Sequence, residues 1–314
     1  MGLGHYCWRF NRDRKRGLLA IWHHYVTLQK ALTFRLPDPE DDVPVELHIV
    51  TGREYWLLGL WMLSSFFLMT RRSWPVTFHD DGSCDTAVQE GIKKVAPFAR
   101  FIPRSEADKE VSSRLQNYPK TLSLRQFLPL TLKLLDTGLL CDSPKRLVLD
   151  CDMLFFQEPS EILQWEAGQK PSSLFLTDVA DASAIHPSQF EEFLGITPLH
   201  NLNSGLCALS QGFLDLPMIE AALARTSLLS AKRWWTIEQT LFAVLAGTRD
   251  AKLLPRSYVV SIEKKAPETT IMRHYIGKVR DRFYAEGLAR ISAALIRNFG
   301  RGVVYQTPMR LLEA

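Results

Sequence analysis

Long apolar runs, patterned cysteines and a strong net charge are all missing from this 314-residue sequence, and each absence removes a class of protein. The longest apolar stretch, YWLLGLWMLSSFFLM, covers residues 55–69 and is interrupted by Gly59, Ser64 and Ser65. A membrane-spanning helix needs about 20 apolar residues, so this stretch reads as a buried helix between Glu54 and Arg71. The five cysteines, Cys7, Cys84, Cys141, Cys151 and Cys207, are odd in number and form no CxxC pair. Such a set reads as free thiols in a reducing compartment. Lys+Arg 38 against Asp+Glu 34 leaves a net charge of only +4, too slight and too dispersed for a nucleic-acid surface. Arg9, Arg12, Arg14, Lys15 and Arg16 make the N-terminus basic, but no apolar stretch with a small-residue cleavage site follows. A cytoplasmic location is the expectation. There is no internal repeat and no low-complexity tract, and 46% apolar with 23% charged residues is ordinary for a soluble globular chain.

What is present is an alternation of strands and helices. Residues 1–42 read as an extension: a basic, aromatic start, a helix over Leu18 to Leu32, and the acidic linker PDPEDDVP. Val45 to Val50 alternates as a strand that ends at Thr51-Gly52, before the apolar helix. Trp74 to His79 is a second strand closed by the turn Asp80-Asp81-Gly82, with a helix from Asp85 to Val95 and a short strand at Ala99 to Ile102. Residues 122–140 are expected to form one helix, and Arg146-Leu147-Val148-Leu149 a central strand running into Asp150. Strands alternating with helices predict an α/β fold with a mostly parallel central sheet flanked by helices. In open sheets of this kind ligands sit at the carboxyl ends of the strands. Thr51-Gly52, Asp80-Asp81 and Asp150-Cys151-Asp152 all fall there.

The last of these clusters carries the most chemistry. Asp150 and Asp152 follow the apolar run RLVL, and residues two apart on a strand share a face. Two carboxylates on one face repel unless a cation or proton lies between them. Mg²⁺ or Mn²⁺ takes carboxylate oxygens and leaves positions for phosphate. The bare motif is weak, because 17 Asp in 314 residues give about one Asp-x-Asp by chance. Its setting strengthens it: the apolar residues on either side would make unpaired carboxylates costly.

With its surroundings, this motif resembles a GT-A-fold glycosyltransferase, closest to glycosyltransferase family 8, the type that includes glycogenin and bacterial galactosyl- and glucosyltransferases. The resemblance covers roughly residues 45–280 and rests on several ordered segments. In that family an apolar strand leads into Asp-x-Asp, which holds Mn²⁺ on the diphosphate of a nucleotide sugar. Lys133 stands where the family places a basic residue near the diphosphate and donor sugar. Asn203-Ser204-Gly205 resembles the family's Asn-Ala-Gly, whose Asn contacts the donor sugar, with Ser204 replacing Ala. Glu238-Gln239 resembles an Asp-Gln pair opening a helix, with Glu238 one methylene longer; read without the family, Thr236 is an N-cap there. His274-Tyr275-Ile276-Gly277 resembles a late His-x-x-Gly in which the His completes the metal site. Either Lys278 or Arg280 then supplies the diphosphate contact, in place of the family's Lys-Pro-Trp. Near the nucleobase, Tyr55 fits the pattern, and Arg53 stands near an expected acid.

The resemblance implies a metal-dependent transferase that moves a hexose from a nucleotide-diphosphate sugar, UDP-linked in the first instance, to an acceptor hydroxyl with retention. Asp150, Asp152 and His274 would hold the metal. Thr51, Gly52, Tyr55, Asp80, Asp81, Lys133, Gly277, Lys278 and Arg280 would bind the donor. Asn203, Glu238, Gln239 and Asp178 would surround the reacting sugar. An inverting enzyme would need a carboxylate on the acceptor side, and Asp178, after the strand Leu174 to Thr177, is better placed than Asp181 or Glu238. Residues 43–282 would be the transferase domain and residues 283–314 a helical tail. Two other readings stand beside it. A haloacid-dehalogenase-type phosphatase also ends a strand in Asp-x-Asp. A non-catalytic relative of the same fold would dock on anionic lipid through the basic N-terminus and through Ala285 to Phe299 with Arg290, Arg297 and Arg301. The acceptor class is not legible. Thiol counting under denaturing, non-reducing conditions is expected to find five free thiols; three or one would contradict the reducing-compartment reading.

Overall fold

The computed structural model describes residues 14, 18–169, 171–263 and 265–300. Cys7, Arg9, Arg12, Lys15, Arg16 and Arg301 therefore lie outside the described residues. Ten strands are described: β1 (Val45–Thr51), β2 (Val76–Asp80), β3 (Arg100–Ile102), β4 (Lys145–Leu149), β5 (Met153–Phe155), β6 (Ser173–Thr177), β7 (Leu202–Ser210), β8 (Ala251–Leu253), β9 (Tyr258–Val260) and β10 (Met272–His274). Seven of them form one sheet in the order β3-β2-β1-β4-β7-β6-β8. β1 runs parallel to β2 and β4, β2 to β3, and β6 to β8. β7 alone runs against its neighbours β4 and β6. The expected mostly parallel α/β sheet is what forms.

Strand alternation explains why both faces of this sheet are covered. Leu47 and Ile49 of β1, Leu147 and Leu149 of β4, and Leu206 and Ala208 of β7 point into one core with the Trp56–Thr70 helix. Val148, Phe175, Cys207 and Leu209 point into a second core, against helices that include Leu216–Arg225 and Ile237–Ala246. The Trp56–Thr70 helix is apolar around most of its circumference and buried accordingly, including Ser64 and Ser65. Their hydroxyls donate to the carbonyls of Leu60 and Met62, both at 2.7 Å. No helix among the described residues is long and apolar enough to cross a membrane.

Two expectations about helices are corrected. Residues 122–140 are not one helix: Pro119–Phe127 and Leu135–Leu139 are α-helical, and Pro129–Lys133 between them is a 3₁₀ turn. Pro129 has no N–H to continue the first helix, and the preceding residue, Leu128, is driven extended at φ −118°, ψ 96°. A buried fork of Arg125 on Asp136, two hydrogen bonds of 2.7 Å, ties the two helices across that turn. A helix over Arg104–Arg114, not anticipated, carries only Ala107 and Val111 as buried residues. At the N-cap position of the Ile237–Ala246 helix, the Thr236 hydroxyl makes no capping bond; it donates to the Arg233 carbonyl at 2.9 Å.

The chain ends flanking the sheet share the first core. Leu28, Ala31, Phe34 and Leu36 are buried in it, as are Ile291, Leu295 and Phe299 of the Ala289–Phe299 helix. That helix turns its apolar face to the protein and leaves Arg290 and Arg297 exposed. Trp61 is the link to the N-terminal segment: it is fully buried, donates from Nε1 to the Leu28 carbonyl at 3.2 Å, and meets the Phe34 ring edge-on at 4.9 Å. Trp61→Ala should cost about 3–5 kcal/mol, read as a lower urea midpoint; a loss under about 1 kcal/mol would mean that residues 28–36 are not docked as described.

Candidate functional site

The site forms where the main sheet hands over to a second, smaller one. β4 stops at Leu149, and Asp150-Cys151-Asp152 is a turn rather than a strand continuation. The backbone N–H of Asp150 closes the β4–β7 ladder on the Gly205 carbonyl at 2.8 Å. Two residues later the Asp152 carbonyl accepts from Tyr275 N–H at 2.8 Å, which opens the pairing of β5 with β10. The same-face argument therefore gave the right convergence from the wrong geometry: a turn, not strand periodicity, brings the two carboxylates together. Cys151 points away, its thiol 3.5 Å from the Thr51 hydroxyl and 3.6 Å from the Val50 carbonyl.

His274 is the last residue of β10 and pairs in register with Met153. Its Nε2 lies 3.2 Å from Asp152 Oδ1 and 3.6 Å from Asp150 Oδ2. Nδ1 is 3.1 Å from Asn203 Oδ1, which fixes the ring from behind. A Cβ on Gly205 would stand 2.4 Å from two atoms of this ring, so the β7 backbone can pass here only as glycine. One oxygen or nitrogen from each of Asp150, Asp152 and His274 falls within 4.8 Å of the others, the arrangement of a three-ligand cation site.

Basic groups surround the pair. Lys133, at the end of the 3₁₀ turn, is buried with Nζ 3.0 Å from Asp150 Oδ1, 3.2 Å from Ser204 Oγ and 3.5 Å from Glu238 Oε1. Arg280 places Nε and Nη2 at 2.9 and 2.8 Å from Asp152 Oδ2 and lies over the Tyr55 ring at 5.0 Å. Burial acts to raise the Asp152 carboxyl, but His274 and then Arg280 outweigh it and hold it at about 2. Burial likewise opposes charge on His274, yet Asp152 and Asp150 push the imidazole above its ordinary value. For Lys133, too, the cost of burial is overcome by Asp150 and Glu238, so the ammonium is held more firmly than usual. Glu238, 2% exposed, is pushed up to about 7 by burial, against the pull of Lys133.

These groups border a cavity of about 510 Å³. Thr51, Gly52, Tyr55, Asp81, Lys133, Asp150, Asp152, His274, Gly277 and Arg280 are on its wall. Asp80 is not: its carboxylate accepts from Gly82, Cys84 and Arg104 N–H groups and shapes the turn after β2. Gly277 opens a short 3₁₀ turn; the Lys278 side chain lies outside what is described, so Arg280 is the basic residue seen at the site. Asn203, Asp178, Glu238 and Gln239 stand behind the wall as one network. Asp178 Oδ2 accepts from Asn203 Nδ2 and Gln239 Nε2, both at 3.0 Å, and the Ser204 hydroxyl donates to Glu238 Oε2 at 2.9 Å. Ser204 and Glu238, two of the departures from the pattern that the sequence resembles, thus touch each other. Sequence reasoning missed Trp234, on the cavity wall beside Trp235 and about half exposed. The signal was present: two adjacent tryptophans between Arg233 and a helix start are costly to leave half in water.

No known protein-family profile matches the chain, and no curated protein sequence matches it. Solved structures do. The bifunctional glycosyltransferase WbbM, in its apo structure, superposes with a TM-score of 0.51 at 14% identity, over 82% of this chain and 51% of that one. Mouse xyloside xylosyltransferase 1 in its apo form gives 0.46 at 10% identity, over 75% and 98%. The galactosyltransferase LgtC, in complex with donor and acceptor sugar analogs, gives 0.45 at 13% identity, over 84% and 98%. The chain spans about half the length of WbbM. The fold is that of the GT-A glycosyltransferases, and at 14% identity the likeness extends to the fold alone.

The folded state without metal binds the His274 proton more tightly than an unfolded chain does, since its value lies above 6.5. That contribution to stability is complete below about pH 6.5 and fades as pH rises through the folded value. The melting-temperature gap between wild type and His274→Gln in chelator should therefore narrow with rising pH. A gap that widens, or an imidazole that titrates below 6.5 by NMR, would contradict this geometry.

Proposed function

We propose that the protein is a metal-dependent glycosyltransferase that moves a hexose from a nucleotide-diphosphate sugar, UDP-linked in the first instance, to an acceptor hydroxyl. The observation that carries this is the convergence of Asp150, Asp152 and His274 at one cavity, flanked by Lys133 and Arg280. Two carboxylates and an imidazole are a donor set suited to Mn²⁺, and Mg²⁺ is the second choice. The residues fit such an ion: two carboxylates and an imidazole converge on one point, with the Lys133 ammonium and the Arg280 guanidinium beside the carboxylates. When bound, the ion would supply Lewis-acid stabilisation of charge developing on the leaving diphosphate.

The remaining steps belong to the chain. His274, its ring held through Nδ1 by Asn203, would ligate through Nε2 as the neutral imidazole. Arg280 and Lys133 would face the diphosphate as fixed positive charge, the preorganised kind that counts most in a water-poor site. Tyr55, under Arg280 at the Thr51-Gly52 end of the cavity, is the platform proposed for the nucleobase. A Cβ on Gly52 would meet Asp81 Oδ2 at 2.1 Å, so a larger residue there would displace that carboxylate from the cavity wall. Asn203, Gln239 and Asp178 form the donor-sugar support. Retention is favoured because none of the three candidate bases is free at the cavity: Asp181 is not on its wall, and its Oδ1 accepts from Ser183 N–H at 2.9 Å. Asp178 Oδ1 accepts from Val179 N–H at 2.7 Å and Oδ2 accepts twice, and Glu238 is buried behind Lys133. A family 8 relationship and a domain spanning residues 43–282 remain part of the same proposal, with the acceptor undefined.

Calorimetry with UDP and GDP tests the reading. Binding is expected in Mn²⁺, with UDP the tighter, and is expected to be lost in excess chelator. Equal affinity in both conditions would contradict it. Asp152→Asn should abolish Mn²⁺-dependent binding while the far-ultraviolet circular dichroism stays unchanged.

A further inference from the structure

A second cluster of ligating side chains lies on the opposite face of the sheet, away from the cavity of the proposed site. Leu47 and Ile49 of β1 face the first core, so Glu46 and His48 must face the other side, and Thr77 and His79 of β2 join them there. Cys141, in the loop before β4, reaches the same point. Its thiol is 3.8 Å from Glu46 Oε2, and His48 Nε2 is 3.6 Å from that same oxygen. One atom from each of Glu46, His48 and Cys141 lies within 4.8 Å of the others.

His48 is fully buried, and its Nε2, aimed at this point, has no hydrogen-bond partner. That unpartnered nitrogen faces a carboxylate oxygen and a thiol, together the donor set of a borderline-soft cation. The hydrogen bonding already suits ligation. His48 Nδ1 and His79 Nε2 are 2.9 Å apart, so His48 can donate from Nδ1 and leave Nε2 free to bind. Glu46 Oε1 is occupied by the Thr77 hydroxyl, which leaves Oε2 as the ligating oxygen.

We infer that Glu46, His48 and Cys141 form a Zn²⁺ site. Zinc takes sulfur at about 2.3 Å and nitrogen or oxygen at about 2.0–2.2 Å, which puts tetrahedral ligands about 3.3–3.6 Å apart. Two of the three separations, 3.6 and 3.8 Å, are within a few tenths of an ångström of that, and the third is under 4.8 Å. A thiolate selects zinc over the harder Mn²⁺, whose preferred donors are at the other site. On ligation the Cys141 proton leaves to solvent, and thiolate plus carboxylate balance the ion's charge. Arg146, buried with Nε and Nη2 unpartnered, shares a cavity of about 310 Å³ with Cys141. The ion would tie the loop before β4 to β1, and so steady the strand that delivers Asp150.

The test is titration of the metal-stripped full chain with Co²⁺, read by the thiolate-to-cobalt charge-transfer band in the near ultraviolet. One equivalent should produce the band and Zn²⁺ should remove it. Cys141→Ser should abolish it, while Cys151→Ser and Asp152→Asn, which touches only the proposed transferase site, should keep it. Glu46→Gln should weaken Co²⁺ binding by on the order of 10-fold or more. This variant decides the matter if Cys141→Ser fails to fold. No band in the wild type, a band that persists in Cys141→Ser, or an unchanged affinity in Glu46→Gln would overturn the assignment.

Discussion

Everything at the candidate site depends on one backbone junction. Between the Asp150 N–H on the Gly205 carbonyl and the Asp152 carbonyl under the Tyr275 N–H, the chain leaves one sheet and enters another within three residues. That junction fixes Asp150 to β7 and Asp152 to β10. It therefore sets the distance from each carboxylate to His274, which sits on β10 beside the β7 glycine. The ends of strands are where backbone ladders run out and polar side chains can converge without breaking them. Here two ladders run out at the same place, and the carboxylates inherit a position that neither sheet alone would supply.

Such a position is electrostatically expensive. Asp152 is nearly buried, and the chain holds its charge by surrounding it with an imidazole and a guanidinium rather than by opening it to water. Lys133 does the same for Asp150, on a short turn that Pro129 forces and the Arg125–Asp136 fork steadies. Buried pairs of this kind add little net stability and are costly to break singly. They make sense as a preorganised arrangement in which the positive groups have a second partner, here proposed to be a diphosphate. The Glu46–His48–Cys141 cluster is the contrasting case, in which an unpartnered imidazole nitrogen and a thiol meet a single carboxylate, with Arg146 close by.

Much of this was legible in the sequence, for stated reasons. Apolar runs such as VELHIV and RLVL fix β1 and β4, and the stretch from Trp56 to Thr70 has no polar face to expose. Asp150 and Asp152 stood out because apolar neighbours leave carboxylates few alternatives to pairing. Lys133, His274, Tyr55 and Arg280 came from resemblance, and folding brings them to one cavity. Where reading failed, the determinant was tertiary or a single residue. Pro129 outweighs the helical pattern on either side of it, and the Arg104–Arg114 helix buries too few residues to show a period. Asp80 looked like a ligand-facing carboxylate until three backbone N–H groups claimed it. His48 and His79 sit on different strands, and no one-dimensional pattern announces that they meet.

The central claim is that this junction holds a cation whose partner is the diphosphate of a sugar donor. Its most direct measurement is the slow release of nucleoside diphosphate from a panel of nucleotide sugars in Mn²⁺, with water as the acceptor, comparing wild type with Lys133→Ala and Asp150→Asn. The account predicts release from at least one donor by the wild type and none above background by either variant. Release at the same rate from Asp150→Asn, or no release from any donor by the wild type, would contradict it.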